Sequence, residues 1–323
     1  MRKFLQRPEA VVAILLVLVF WAEAAFTPHF FDIRYLLNRT ALSAETGLLA
    51  LGVTFVIITG EIDLSIASTM ALVACALAKM AGSMPIPVAI VLALVLGGLL
   101  GAFNGLLVAK AKLPSFLVTL GTMALYRGIA QAWMSSSSTA LPASLQGADM
   151  LDLPLVGIPL PFGIVLVFAV LLGLVLHRTV VGRWVYAVGI NERAAFYSGV
   201  PTRAVKFWVF VLVGVLAAIA ALLIDSRLGI ARFDHGRGME LDAITAAVLG
   251  GTSIYGGRGT IFGTVLALLL IAVIQTGMTL ANVSAGVQLT VVGTLLVFAV
   301  ALTAATGRLA VRKPAGVAPA NGE

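Results

Sequence analysis

Four acidic residues lie at the edges of long apolar segments, where carboxylates could bind ions, transfer protons or contact a polar substrate. Glu61 and Asp63 occur in TGEIDLS, and Glu240 and Asp242 occur in GMELDAIT. Ionisable groups at membrane depth are costly and usually face a cavity or a partner. Acids are also favoured in the first turn of a helix, beside its free N–H groups. Two interpretations therefore stand: a helix cap, or a position in a polar pathway.

The two acidic segments resemble each other, since each has a glycine, a glutamate and an aspartate ahead of a helix rich in small residues. Two related halves are common in transporters. Other polar groups interrupt apolar segments at Thr122, Tyr126 and Arg127. Ser and Thr in such segments commonly bond their own backbone or a neighbouring helix rather than a ligand, and for Arg127 the alternative is snorkelling to the membrane interface. The candidates for a polar pathway are Glu61, Asp63, Asn104, Thr119, Glu240 and Asp242.

Catalytic and metal chemistry find little support in the chain. The single cysteine, Cys75, lies in an apolar segment, and the three histidines His29, His177 and His235 are too scattered for a metal motif. No plausible nucleophile and base occur together. We therefore expect no enzyme activity, no metal site and no cofactor on this chain.

A glycine-rich stretch, GGTSIYGGRGT at 250–260, superficially resembles a phosphate-binding loop. Such a loop requires Lys and then Ser or Thr after its last glycine, whereas Gly257 and Arg258 follow here. We interpret the stretch as a tight turn between closely packed helices, which glycine permits.

Composition places these residues in a membrane. Hydrophobic residues make up 60% of the 323 residues and charged residues 11%, and the mean hydropathy is +1.08. Soluble proteins carry about 25% charged residues. The apolar runs are continuous rather than alternating, and their length matches the hydrocarbon layer. The predicted fold class is all-α, a polytopic transmembrane helical bundle, and the net charge of +7 follows from the positive-inside rule rather than from nucleic-acid binding.

About ten spans are predicted, two of which involve broken or re-entrant helices. The run 41–80 is interrupted at 60–63, and the segment 241–255 is short and ends in glycines. The segments are 10–27, 41–59, 63–80, 86–108, 115–134, 159–177, 206–225, 241–255, 260–280 and 286–305.

The basic residues orient this bundle. With ten crossings, most Lys and Arg residues fall on the side of the two termini, so both termini are predicted to be cytoplasmic. Residues 1–312 form one transmembrane domain, and the tail 313–323 is predicted to be disordered. The first 26 residues also resemble a cleavable signal. The largest basic loop, 178–206, is cytoplasmic and carries Arg178, Arg183, Arg193, Arg203 and Lys206.

A short helix is predicted within this loop. Asn191 can cap its start and Gly199 can end it. Phe196 and Tyr197 would then face water on an element too short to be stable alone. Exposed aromatic residues favour insertion into a pocket of another protein, and a helix lying in the lipid headgroups is the alternative. The residues of this contact are Asn191, Glu192, Arg193, Ala194, Ala195, Phe196, Tyr197, Ser198 and Gly199.

Three segments give the chain a specific resemblance to a known family. They are ITGEIDLSIAS at 58–68, LPSFLVTLGTMALYRG at 113–128, and the run 182–264 that contains NERAAFYSGV and GGTSIYGGRGT. The chain resembles, over nearly its whole length, the membrane permease subunits of bacterial ATP-binding-cassette (ABC) sugar importers of the ribose, arabinose, xylose, rhamnose and autoinducer-2 group. One departure is notable: Glu61 replaces a glycine that the family usually has, which adds a carboxylate near the expected pathway.

This resemblance implies an importer in the bacterial inner membrane for a monosaccharide or a related small polyol. Two permease subunits, either two copies or a copy and a paralogue, would form the pathway within the lipid. Cytoplasmic ATPases would bind ATP and magnesium, and a soluble receptor would deliver the sugar from outside. Residues 191–199 would be the coupling helix that contacts the ATPase.

Three arginines on the predicted outer side, Arg227, Arg232 and Arg237, recur every five residues. The resemblance makes them candidates for docking an acidic patch of the receptor, with snorkelling or pairing to Asp225 and Glu240 as the alternative. The alternative function for the chain is a self-powered, ion-coupled secondary transporter or channel that uses the four acids as ion sites.

Overall fold

Each of the ten predicted apolar segments contains a helix in the computed structural model, which describes residues 8–26, 30, 32–134, 137–147 and 158–311. The predicted disorder of the tail 313–323 concerns residues outside these ranges. The described part is almost entirely helical, which confirms the all-α fold class.

Thirteen α-helices and two short strands make up the described chain. The first six helices are α1 (Pro8–Phe26), α2 (Ile33–Leu42), α3 (Ala44–Ile58), α4 (Ile66–Ala81), α5 (Ile86–Ala109) and α6 (Ser115–Met134). The strand β1 (Thr139–Ala140) and a 3-10 turn (Ala143–Leu145) follow. The rest are α7 (Leu160–Arg178), α8 (Val180–Ile190), α9 (Glu192–Tyr197), α10 (Thr202–Leu228), β2 (Ile230–Ala231), α11 (Met239–Leu249), α12 (Ile261–Leu280) and α13 (Ala285–Val311).

Five helices, α1, α5, α7, α10 and α12, are each long and apolar enough to cross a membrane. A sixth candidate is the pair α2 and α3, which is bent by 50° at Ser43. Among the other helices, α4 packs inside the bundle with almost every residue buried, whereas α6 and α13 leave many side chains exposed. Length and hydropathy thus identify single spans but not their burial, since α10 is one of the five and is largely buried.

Contacts between helix ends define two ends of the molecule. At the first, which we call the α9 end, Tyr186 of α8 donates a hydrogen bond to the carbonyl of Gly259 at 2.6 Å. At the second, the hairpin end, β1 and β2 pair antiparallel, with Thr139 opposite Ala231. Helix α9 precedes the 27-residue helix α10 and β2 follows it, so the loops that carry α9 and β2 lie at opposite ends of α10.

Small residues bring α5 and α10 into close contact. Gly97, Gly101 and Gly105 recur every four residues on α5, and Gly97 and Gly101 lie against the backbone of Gly214 and Phe210 on α10. A side chain at either glycine would meet a carbonyl oxygen, so only glycine permits this approach. The two helices therefore form a rigid pair, and α10 extends from it to the α9 end.

Two breaks in the helices were predicted, and the structure has both. Residues 59–65 separate α3 from α4, with Gly60 at a φ of +82°. The glycine-rich stretch 250–260 separates α11 from α12, where Gly250 and Gly263 pack backbone against backbone. This packing confirms the interpretation of the stretch as a tight turn.

Candidate functional site

The short helix α9 is formed as its sequence predicts. The side chain of Asn191 accepts a hydrogen bond from the backbone N–H of Ala194 at 3.0 Å, which caps the N-terminus. At the other end Val200 N–H bonds to the carbonyl of Ala195, and Gly199 N–H to that of Phe196, both at 3.0 Å. Gly199 has a φ of +84°, so the pair of bonds is a Schellman ending. Local sequence thus stabilises a helix of only six residues.

The aromatic residues of α9 point away from the bundle. Ala195 is buried and anchors the helix, whereas Phe196 is 59% exposed and Tyr197 is 86% exposed. Beside them lies a cavity of about 640 Å³, whose walls carry more cations than acids. The cations are Lys112, Arg193, Arg203 and Lys206, and the acids are Glu61 and Glu192. An exposed aromatic pair next to a basic cavity is a surface suited to a partner with apolar and acidic groups.

Helix α8 fixes the position of α9 against the break between α3 and α4. Gly189 touches the carbonyl of Ile58, and a methyl group there would overlap that oxygen. The same carbonyl accepts a hydrogen bond from Gly257 N–H at 2.8 Å. The end of α3, the glycine-rich stretch and the start of α9 therefore meet at one point.

A largely buried cation, Lys206, joins α9 to the break between α3 and α4 through two ion pairs. The Lys206 ammonium lies 2.5 Å from Glu61 Oε1 and 2.6 Å from Glu192 Oε2. The Lys206 and Glu61 side chains are only 11% and 14% exposed, while Glu192 is 48% exposed. One ammonium group thus holds a carboxylate of the break and the first residue of α9 together.

The break itself is held by α6. Ile62 N–H donates to Ser115 Oγ at 3.1 Å. The Thr119 hydroxyl donates to the carbonyls of Ser115, at 2.8 Å, and of Ile62, at 3.2 Å, and shares its one proton between them. Two hydroxyls one helical turn apart therefore contact both backbone groups of a residue that has no helical partner.

Beyond Ile62 the polar contacts continue into the bundle. Asp63 is 3% exposed, and its Oδ1 accepts hydrogen bonds from Ser65 N at 2.8 Å and Ser65 Oγ at 2.7 Å. Asn104 of α5 donates to Ser65 Oγ at 2.8 Å. The Tyr126 hydroxyl of α6 donates to the carbonyl of Leu100 at 3.0 Å. These contacts, joined by the backbone of residues 61–63, form a polar network that extends from α9 to α5 and α6.

The structure brings together four of the six pathway candidates, Glu61, Asp63, Asn104 and Thr119. The other two, Glu240 and Asp242, lie in the first turn of α11. Glu240 accepts a hydrogen bond from Gly238 N–H at 3.2 Å, so it caps that helix. Asp63 also accepts a hydrogen bond from the backbone N–H of Ser65, directly before the start of α4. Both acids therefore have the geometry of a helix cap.

The arginines of the hairpin end mostly have partners within the chain. Arg227 pairs with buried Glu45 at 2.9 Å, and Arg232 binds both oxygens of Asp234, at 2.8 and 2.9 Å. The Arg232 guanidinium holds the pKa of Asp234 below its ordinary value. These partners differ from Asp225 and Glu240, which the sequence suggested. Arg237 is exposed.

Arg127 has a defined position at the same end. Its Nη1 donates to the carbonyls of Phe233 and His235 at 2.8 and 2.9 Å. The loop between β2 and α11 is thereby fixed onto α6. The guanidinium is thus bound within the protein.

Sequence reasoning missed three members of the network, Ser65, Ser115 and Lys206. Ser65 and Ser115 each stand directly beside a helix start in the segments 58–68 and 113–128, which was their available signal. Lys206 was counted only as a cation, since its partners lie 14 and 145 residues away. Among the described residues, no group of three His, Cys, Asp or Glu side chains could hold a metal ion.

The sequence of the chain is similar to those of known proteins. Residues 35–300 match the family described as "Branched-chain amino acid transport system / permease component". The chain is 39% identical over 291 residues to the ribose import permease protein RbsC of Bacillus subtilis (strain 168), covering 90% of this chain and 89% of that protein. It is 37% identical over 298 residues to the autoinducer 2 import system permease protein LsrD of Escherichia coli (strain K12), covering 90% of each. No solved structure matches the chain.

Proposed function

Because this chain belongs to the family of branched-chain amino acid transport system permease components, we propose that it forms the path by which a monosaccharide or related small polyol enters the cell. The chain is a permease subunit of an ABC importer of the bacterial inner membrane, and the ATPase is a separate subunit. Family membership removes the alternative of a self-powered carrier. The observation that carries the cargo class is the similarity, over 90% of the chain, to import permeases for ribose and autoinducer 2.

The cargo is tested by uptake in a strain that lacks this chain. Radiolabelled ribose, arabinose, xylose, rhamnose and autoinducer-2 are offered separately, and the chain is restored from a plasmid. We expect restored uptake of at least one of these compounds. Restored uptake of a branched-chain amino acid, with no uptake of the five compounds, would contradict the proposed cargo class.

The ATPase is proposed to bind at α9. Phe196 and Tyr197 would enter a cleft of the ATPase, and the cations Lys112, Arg193 and Arg203 would face acidic groups on it. The exposure of the two rings and the basic cavity beside them support this assignment. In the ATPase subunits, ATP and magnesium would supply the energy that moves α9.

The coupling proposal is tested by replacing both aromatic residues, Phe196→Ala with Tyr197→Ala. We expect uptake to fall by about a hundredfold or more, since buried aromatic anchors dominate protein interfaces. Co-purification of the ATPase should fall in parallel, while the permease is still inserted. A matched control is Tyr255→Ala, because Tyr255 is 69% exposed at the same end but lies outside the cavity. Unchanged uptake and co-purification in the double variant would rule the assignment out.

The polar pathway is proposed to pass the break at 59–65. Asp63, Asn104 and Thr119 offer a carboxylate, an amide and a hydroxyl group there, which are suited to transient hydrogen bonds with sugar hydroxyls. A second permease subunit, another copy or a paralogue, would complete the path. At the opposite end, Arg237 is the strongest candidate for docking the soluble receptor, because Arg227 and Arg232 already have acidic partners.

A further inference from the structure

The polar network at the α9 end contains one group that joins the proposed ATPase contact to the helix break. Lys206 stands one turn inside α10, whose packing against α5 through glycines is rigid. Its ammonium contacts Glu192 of α9 on one side and Glu61 of the break on the other. Since α10 provides a fixed base, the two carboxylates are held at a set distance from each other.

The Lys206 and Glu61 side chains are largely buried, which makes their pairing specific. A buried ion pair contributes little net stability compared with apolar packing, but loss of one member leaves an uncompensated charge. Here one cation serves two acids, so the loss of Lys206 would leave Glu61, which is 14% exposed, without its cation. The two carboxylates would then repel each other, and the charged link between α9 and the break would be lost.

The far side of the break is already anchored. Ile62 follows Glu61 in the chain, and Ser115 and Thr119 of α6 hold both of its backbone groups. A displacement of Glu61 therefore acts directly on Ile62 and on the bonds between Asp63 and Ser65 behind it. Glu61 is thus placed to pass a movement of α9 into the polar network.

We propose that Lys206 is a positioning residue that transmits the movement of α9 to the break at 59–65 by holding Glu192 and Glu61 on one ammonium group. The proposal rests on the proposed docking of the ATPase at α9, and Lys206 acts only after that docking. The ATPase binds and hydrolyses ATP with or without Lys206, but sugar moves only when α9 and the break move together.

The test uses the complex of permease, ATPase and receptor in proteoliposomes, and it measures sugar taken up per ATP hydrolysed. The sugar is ribose, or whichever of the five radiolabelled compounds the wild type takes up fastest. For Lys206→Gln we expect this ratio to fall about tenfold, while ATPase co-purification and ATP hydrolysis persist, because only coupling free energy is lost. Lys206→Arg should restore most of the ratio, since its guanidinium can bind two carboxylates.

A matched control is Lys110→Gln, which removes an exposed cation at the same end without changing an ion pair. This variant should keep the wild-type ratio. An unchanged ratio in Lys206→Gln would overturn the proposal. Loss of ATPase co-purification in Lys206→Gln would also overturn it, since Lys206 would then act in docking.

A double-mutant cycle keeps the test decisive if Lys206→Gln does not fold. Glu61→Gln and Glu192→Gln preserve side-chain shape and remove one charge each. If both act through Lys206, the double variant should lower the ratio no more than the stronger single variant does, because coupled residues are not additive. Additive effects, or wild-type ratios in both single variants, would overturn the link. The docking proposal fails differently, through lost co-purification in the Phe196 and Tyr197 variant.

Discussion

The two ends of the bundle use their charged residues in opposite ways. At the α9 end, Arg193 and Arg203 stay exposed beside an aromatic pair, and the ion pairs join separate elements through Lys206. At the hairpin end, Arg227 and Arg127 are engaged in fixing a loop and a helix end within the chain. Basic residues are frequent at both ends, so the charge count alone does not distinguish them. The contacts do: at the α9 end two arginines stay exposed, and at the hairpin end Arg227 and Arg127 are bound within the chain.

The difference extends to the backbone. At the α9 end, α8 and α3 touch through Gly189 and the carbonyl of Ile58, with no side chain between them. At the hairpin end, side chains such as Arg127 bridge the elements over longer distances. The α9 end should therefore tolerate added volume badly, whereas the hairpin end should depend on specific hydrogen bonds. Substitutions at each end can test this contrast.

The largest effect is expected for Gly189→Ala. The new methyl group would overlap the Ile58 carbonyl oxygen, so α8 must move away from α3. Overpacking of this kind costs about 3 kcal/mol, which far exceeds the gain in helix propensity. Thermal unfolding of the purified permease should show a lowered midpoint, and uptake should be lost.

Gly173→Ala is the matched control for that substitution. Gly173 lies in α7, and an added methyl group would be 3.9 Å from the side chain of Ile261, an ordinary contact. We expect an unchanged or slightly raised midpoint, because alanine favours the helix. If Gly189→Ala behaved like Gly173→Ala, the α9 end would not be packed through its backbone.

Much of this architecture could be predicted from the sequence, because lipid imposes length and hydropathy on single helices. The segments 86–108 and 159–177 differ by one residue at their ends from Ile86–Ala109 and Leu160–Arg178. The cap at Asn191 and the ending at Gly199 are local signals, and α9 follows them. These helix bounds could be predicted because their signals lie within a single helix.

The remainder depends on contacts between distant residues. Helix α8 was hidden in the basic loop, because its stability comes from the packing of Gly189 and the bond from Tyr186 to Gly259 rather than from a long apolar run. The pairing of β1 with β2 joins residues far apart in the chain and involves only two residues of each strand. Glu61 was identified as an unusual carboxylate, but its partner Lys206 could not be inferred from spacing.

An intermediate effect is expected for Arg127→Gln at the hairpin end. Arg127 donates charge-assisted hydrogen bonds to the carbonyls of Phe233 and His235. Since the Gln amide can still donate to one of them, the variant loses one such bond, worth about 2 kcal/mol. The unfolding midpoint should fall less than in Gly189→Ala. A cysteine introduced at Phe233 should react faster with a thiol reagent in the Arg127→Gln variant than with Arg127 present. The background is low because Cys75 is fully buried.

Arg39→Gln provides the comparison at the same end. Arg39 donates a single hydrogen bond to Thr279 Oγ1, at 3.2 Å, so its loss should have a smaller effect on the midpoint. Equal midpoints in the two variants would mean that Arg127 does not hold the loop. The hairpin end would then be closed by apolar packing, and the contrast between the two ends would be weaker.

The smallest effect is expected for receptor docking, where two neighbouring arginines can be compared directly. Arg237→Ala should weaken stimulation of ATP hydrolysis by the receptor about threefold at low salt, since an exposed charge contributes less than about 1 kcal/mol. Arg232→Ala should have less effect, because Asp234 already neutralises that arginine, and the lowered pKa of Asp234 keeps the pair ionised at neutral pH. Added salt should reduce the difference between the two variants, because it screens exposed charges. If Arg232→Ala weakened stimulation more than Arg237→Ala, the Arg232–Asp234 pair would have to open on docking, and the hairpin end would present its charges as the α9 end does.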